Sequence, residues 1–164
     1  MKLTDIYEFL DTIKVSYERF DHPAVYTVSE AKKLSPKMDG ASTKNLFLRD
    51  KKGIRHFLVT VPQDKQVDLK ELSSILEASR LSFASPDRLK TYLGIDPGSV
   101  SLLALLNDPE KKVEVFIDKQ LWNAEIILCH PLVNTSTLAV PRDGIKQFLE
   151  RTGHALRLIE VPVK

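Results

Sequence analysis

Three features of this chain point to an α+β domain, a mixed and mostly antiparallel sheet or open barrel with flanking helices. Segments of strand length outnumber segments with helical spacing. Several of the strands are joined by short turns, the clearest case being a hairpin over 45–61. The chain has 164 residues, 43% apolar and 28% charged, which suits one domain over residues 1–164 with a single core.

The elements follow in order. Thr4 can cap a first helix with Ile6, Phe9, Leu10 and Ile13 on one face. Residues 17–20 read as a short strand, broken at Asp21-His22-Pro23 because a residue before proline is pushed to extended geometry. Residues 29–34 read as a short helix, capped by Ser29 and closed near Pro36. Residues 45–49 and 55–61 form the hairpin, and in its turn, Asp50-Lys51-Lys52-Gly53, the glycine can take positive φ. Residues 68–78 carry Leu69, Leu72, Ile75 and Leu76 at helical spacing. Ser85-Pro86 opens another helix that runs to Leu93 and stops at Gly94. Residues 101–106, 113–117, 125–128 and 136–140 read as strands. Pro141 starts a last helix through Leu149 that ends by Gly153, and 156–161 is a final strand.

Composition excludes several classes. The 24 basic and 22 acidic residues leave a net charge of +2, far from a protein that coats nucleic acid. Any RNA contact is then confined to a patch. One cysteine, Cys129, permits no internal disulfide and fits a reducing, cytoplasmic setting. The start carries Asp5, Glu8 and Asp11 and is no signal peptide. The longest apolar runs, such as Leu102 to Leu106, fall far short of the roughly 18 residues that span a bilayer. No long apolar seam announces a partner copy, so a monomer is expected.

Three separated segments carry the chemistry. Thr43-Lys44-Asn45-Leu46-Phe47-Leu48 sets a cation at the start of an apolar strand. A lysine ammonium suits a phosphate or a carbonyl oxygen, although most lysines are only surface charge. The Asn45 amide can orient a water or sugar hydroxyl, or simply make a turn. Pro97-Gly98-Ser99-Val100-Ser101 offers a loop whose backbone can approach a ligand and stabilise an oxyanion, or is a tight turn. In Cys129-His130-Pro131, His130 can bond a ribose or base or move a proton, or is a half-buried ring satisfied by backbone. Cys129 follows Ile126-Ile127-Leu128 and reads as a small apolar wall residue. His22 and His154 receive no ligand role. Four scattered histidines and one cysteine give no zinc spacing, and no cofactor is implied. The basic stretches Lys32-Lys33, Lys37, Arg49, Lys51-Lys52 and Arg55 cluster in sequence around Lys44 and can follow an RNA backbone, though such runs are usually solvated surface.

Taken in order, these segments resemble the YbaK/prolyl-tRNA synthetase-associated editing domain family. The ordered set with its spacings carries the resemblance, from the His22-Pro23 turn to the His130–Thr137 segment, over nearly the whole chain. Within the family the chain looks most like freestanding deacylases that clear alanine from mischarged proline tRNA. The resemblance implies a trans-editing hydrolase acting on an aminoacyl ester at the tRNA 3′ end. It implies that Lys44 holds that end and that Gly98 places the ester and a water through its backbone. His130 and Asn45 would line the same pocket, with Thr43, Ser99, Val100 and Cys129 as further substrate-binding positions. The expected partner is the acceptor end of tRNA(Pro), with prolyl-tRNA synthetase or an elongation factor sharing the tRNA. One departure stands out: many members carry proline four residues after the loop glycine, where this chain has Leu102. Two readings compete with alanine editing, namely a deacylase for cysteine or serine on tRNA and a noncatalytic tRNA-binding module. A purely structural domain is a weaker third.

Overall fold

The computed structural model describes residues 3–23 and 40–164. The helix expected over 29–34, with Lys32, Lys33 and Lys37, lies outside the described residues. Eight strands and four α-helices are described. The strands are β1 Glu18–Asp21, β2 Thr43–Arg49, β3 His56–Pro62, β4 Ser82–Phe83, β5 Val113–Asp118, β6 Ile126–Cys129, β7 Ser136–Pro141 and β8 Leu158–Ile159. The helices are Leu3–Thr12, Leu69–Ile75, Pro86–Leu93 and Arg142–Thr152.

Two sheets form. One is antiparallel with order β1-β7-β6; the other is mixed with order β4-β2-β3-β5-β8. The β2–β3 hairpin pairs Thr43 with Pro62 through Arg49 with His56, and Gly53 in its turn has φ +70°. In contrast β3 pairs with β5, and β5 with β8, in parallel. The sheets are not closed into a barrel. They meet where Ala41 bridges Ile127 in parallel, just ahead of β2.

Local chemistry sets the helix ends. The Ser85 hydroxyl accepts from the Arg88 N–H, Pro86 fills the first turn, and Gly94 closes the helix at φ +66°. Asp68 caps Leu69–Ile75 in the same way through the Glu71 N–H. The first helix already includes Leu3 and Thr4, so Thr4 is not its cap. Of the expected apolar face it buries Ile6 and Leu10, Phe9 is half-buried against the core, and Ile13 is buried just past the helix end.

One expected strand is absent. Residues 102–107 form a 3₁₀ helix rather than a strand. Leu102, Leu103, Ala104 and Leu105 are all buried, an unbroken apolar run with no alternation to suit a two-faced strand. The Ser101 hydroxyl accepts from the Leu103 N–H and starts the helical turn. The final strand is also shorter than expected, Leu158–Ile159 within 156–161.

Sheet β2–β3–β5 is buried on both sides. Phe47, Leu58 and Val115 join the larger core with the first and last helices. Leu46, Leu48, Phe57 and Val59 join a second core under Leu69–Ile75. Burying this much side chain at about 25 cal/mol per Å² of apolar surface is the dominant favourable contribution to folding.

Candidate active site

The site is built where β2 begins. Side chains alternate along a strand, so Thr43, Asn45 and Phe47 point to one face and Lys44, Leu46 and Leu48 to the other. The two cores bear this out, since Phe47 lies in one and Leu46 and Leu48 in the other. Just before β2 the chain runs beside β6. The Ala41 N–H donates to the Ile126 carbonyl at 2.9 Å, and the Leu128 N–H donates to the Ala41 carbonyl at 3.0 Å. The Thr43 hydroxyl extends this contact by donating to the Leu128 carbonyl at 2.6 Å. From this bridge the chain runs on into β2 with Lys44 on one side and past β6 to His130 on the other.

Cys129 pairs with Leu138 as the last pair of β6 and β7, and His130 follows with its ring on the Ser136 carbonyl, next to Thr137. Phe20 pairs with Thr137, and His22 follows two residues later on the same side. Thr137 of β7 and, from two loops, His130 and His22 therefore cluster at this end of the antiparallel sheet, beside β2 with Lys44. Asn45, Thr43 and Cys129 lie toward the inner, core side.

Backbone carbonyls fix both imidazoles. His130 Nδ1 lies 3.1 Å from the Ser136 carbonyl oxygen. A carbonyl only accepts, so Nδ1 carries the proton, and Nε2 is an acceptor with no hydrogen-bond partner among the described residues. Burial pushes the His130 pKa below the ordinary histidine range, and the proximity of His22 acts in the same direction. The ring is thus neutral at neutral pH. His22 is buried, with Nδ1 2.9 Å from the Pro23 carbonyl and Nε2 2.7 Å from the Thr137 hydroxyl.

The loop carrying Gly98 is tied to this site from the inner side. Asp96-Pro97-Gly98-Ser99 is a turn closed by the Ser99 N–H on the Asp96 carbonyl at 3.1 Å, with Gly98 at φ +89°. Glycine suits the third position of such a turn because a Cβ is strained there. The Asn45 amide donates to the Val100 carbonyl at 3.4 Å and accepts from the Thr60 hydroxyl at 2.6 Å. The Ser101 hydroxyl donates to the His130 carbonyl. Asn45 therefore acts here as a tie behind the loop, with its amide turned away from the Lys44 face. Leu102, at the position of the family's proline, starts the 3₁₀ helix and is buried in the core.

Cys129 is buried, and burial pushes its thiol pKa up to about 12. A thiolate nucleophile is disfavoured there, in keeping with a wall position. His154 lies elsewhere, against Asp108. Among the described residues no three His, Cys, Asp or Glu side chains converge as metal ligands. No helix among them is long and apolar enough to cross a membrane.

His22 and Thr137 are the site residues that sequence reasoning left without a role. Their only local signal was the His22-Pro23 dipeptide, because the bond joining them spans 115 residues.

A lysine, a neutral histidine and a pinned Gly/Ser loop suit hydrolysis of an ester that is already activated. The chain belongs to the aminoacyl-tRNA editing domain family, whose signature matches residues 22–148, and is an aminoacyl-tRNA deacylase. It is 37% identical over 152 residues to the prolyl-tRNA editing protein ProX of Acetoanaerobium sticklandii, covering 93% of each chain. It is also 37% identical to prolyl-tRNA synthetase associated domain-containing protein 1 of Danio rerio, covering 92% of this chain and 82% of that one. A crystal structure of a candidate trans-editing enzyme for prolyl-tRNA synthetase shares the fold with a TM-score of 0.70 at 17% identity, covering 100% of this chain and 99% of that one.

Proposed function

We propose that this chain hydrolyses alanyl-tRNA(Pro) in trans, releasing alanine from the 3′ end of the mischarged tRNA. The observation that supports the reading is the pinned His130 ring, its Nδ1 held by the Ser136 carbonyl and its own carbonyl tied to the Gly98–Ser101 loop, next to the strand that carries Lys44. Lys44 holds the tRNA 3′ end as a point charge on phosphate or on the ester carbonyl. The backbone of Gly98, Ser99 and Val100 places the ester and the attacking water, and stabilises the oxyanion. His130 Nε2 accepts a hydrogen bond from the terminal ribose. Thr43, Asn45 and Cys129 hold these groups from the inner face.

In the reaction, water adds to the ester carbonyl carbon and loses a proton. The carbon–oxygen bond to the ribose breaks, and the departing ribose oxygen takes up a proton relayed by the neighbouring free hydroxyl. An aminoacyl ester is labile, so positioning and oxyanion stabilisation suffice without a protein nucleophile. The choice of alanine has a physical reason. A proline site cannot sterically exclude a smaller side chain, and missing methylenes discriminate only about 10–200-fold. A second, smaller pocket supplies the rest.

The enzyme acts as a cytoplasmic monomer of one domain, on tRNA shared with prolyl-tRNA synthetase or an elongation factor. Single-turnover hydrolysis of alanyl-tRNA(Pro), after treatment with a chelator, tests the reading. Full activity is expected, and loss restored by zinc contradicts it. Preference for cysteinyl- or seryl-tRNA(Pro) would keep the chemistry and change the substrate.

A further inference from the structure

We infer that Thr137, oriented by His22, receives the α-ammonium group of the aminoacyl ester, an inference that rests on the deacylase reading above. His22 Nδ1 faces the Pro23 carbonyl at 2.9 Å, which requires an N–H on Nδ1. The other nitrogen, Nε2, is 2.7 Å from Thr137 Oγ1. Among the described residues His22 Nε2 is the acceptor that the Thr137 hydroxyl reaches. The hydroxyl proton therefore points at His22, and the Thr137 oxygen presents its lone pairs away from it.

The placement of that oxygen gives it a use. Thr137 follows Ser136 in β7, and the Ser136 carbonyl holds the His130 ring at 3.1 Å, so the Thr137 hydroxyl sits one residue from the point where that ring is pinned. A substrate whose ribose meets His130 thus brings the first atoms of its aminoacyl group to Thr137. The α-ammonium is the cationic donor at that position, and an oriented hydroxyl oxygen is a fitting acceptor. Thr137 and His22 are buried together, so the acceptor is fixed before substrate arrives. His22 is a positioning residue: it acts through Thr137 and need not touch the substrate.

The consequence is selectivity for a free amino group. Free aminoacyl esters are then distinguished from peptidyl or N-acylated esters, in which the cation is gone. The experiment compares alanyl-tRNA(Pro) with N-acetylalanyl-tRNA(Pro), using the wild type and Thr137→Val, Thr137→Ser and His22→Gln. The wild type should prefer the free amine by roughly ten- to hundredfold in kcat/KM, the range of one hydrogen bond to a charged group. Thr137→Val should raise KM for alanyl-tRNA(Pro) and abolish the preference. Thr137→Ser should keep both, as should His22→Gln, whose amide oxygen can still accept from Thr137. A folded Thr137→Val enzyme that retains the preference overturns the inference and leaves the deacylase reading standing. A wild type that hydrolyses alanyl-tRNA(Pro) without preferring the free amine overturns it as well. A wild type that hydrolyses neither ester overturns the deacylase reading and this inference together.

Discussion

A buried histidine and a half-buried one in this chain are held in opposite ways. His154 has both ring nitrogens engaged by side chains, Nε2 with Asp108 Oδ2 at 2.9 Å and Nδ1 with the Thr152 hydroxyl at 2.9 Å. Asp108 also accepts from the Lys112 and Val113 N–H groups at 3.0 and 2.9 Å. This knot ties the 3₁₀ helix, the start of β5 and the end of the last helix, and offers nothing to a ligand. His130 instead spends one nitrogen on a backbone carbonyl, and among the described residues the other has no hydrogen-bond partner. Saturated polar groups hold a fold, whereas a pinned ring with one nitrogen lacking such a partner is free to do chemistry.

Substitutions at the two histidine sites should act on different properties. Asp108→Ala should give the largest effect. Leaving His154 buried without its partner should cost about 3–5 kcal/mol of stability in denaturant unfolding. Activity per folded molecule should be unchanged. His130→Gln should do the reverse, with an unfolding midpoint close to wild type and kcat/KM for deacylation lower on the order of a hundredfold.

The pH dependence sharpens the same contrast. Burial lowers the His130 pKa from 6.5, so the neutral ring persists below that value in the folded protein. Deacylation should stay level as pH falls through 6.5 and drop only in more acid solution. His130→Gln should lack that acid limb. Stability follows the sign of the shift. The unfolded chain binds this proton more readily, so the ring's contribution is present above about 6.5 and lost as pH falls below it.

Asn45→Ala should have a smaller effect, about tenfold in kcat with little change in KM. It removes the tie to the Val100 carbonyl and leaves the Thr60 hydroxyl without its acceptor. The smallest effect is expected at the β2–β3 turn, where Lys51 and Lys52 are exposed. Replacing both by glutamate should raise KM a few-fold at low salt, and the difference should vanish as salt rises.

Much of the fold was legible because its signals are local. The hairpin announced itself through Gly53, and Pro86–Leu93 through Ser85, Pro86 and Gly94. Residues 101–106 misled because a buried apolar run has no period by which to tell strand from helix. The parallel pairing of β3 with β5 was invisible, since nothing in either segment names a partner more than 50 residues away. For the same reason the motifs named Lys44, Gly98 and His130 but not their arrangement. Whether Lys44 and Asn45 face the same pocket depends on strand alternation and on the single Ala41–Ile127 bridge. The His22–Thr137 pair depends on β1 reaching β7 across most of the chain.

The most direct test compares hydrolysis of alanyl-, cysteinyl-, seryl- and prolyl-tRNA(Pro) by the purified protein and by Lys44→Ala. Rapid loss of alanine alone, reduced at least about a hundredfold by a substitution that leaves the fold intact, is the expected result. A folded Lys44→Ala protein that turns over as fast as wild type, or a wild type that hydrolyses none of the four esters, would contradict it.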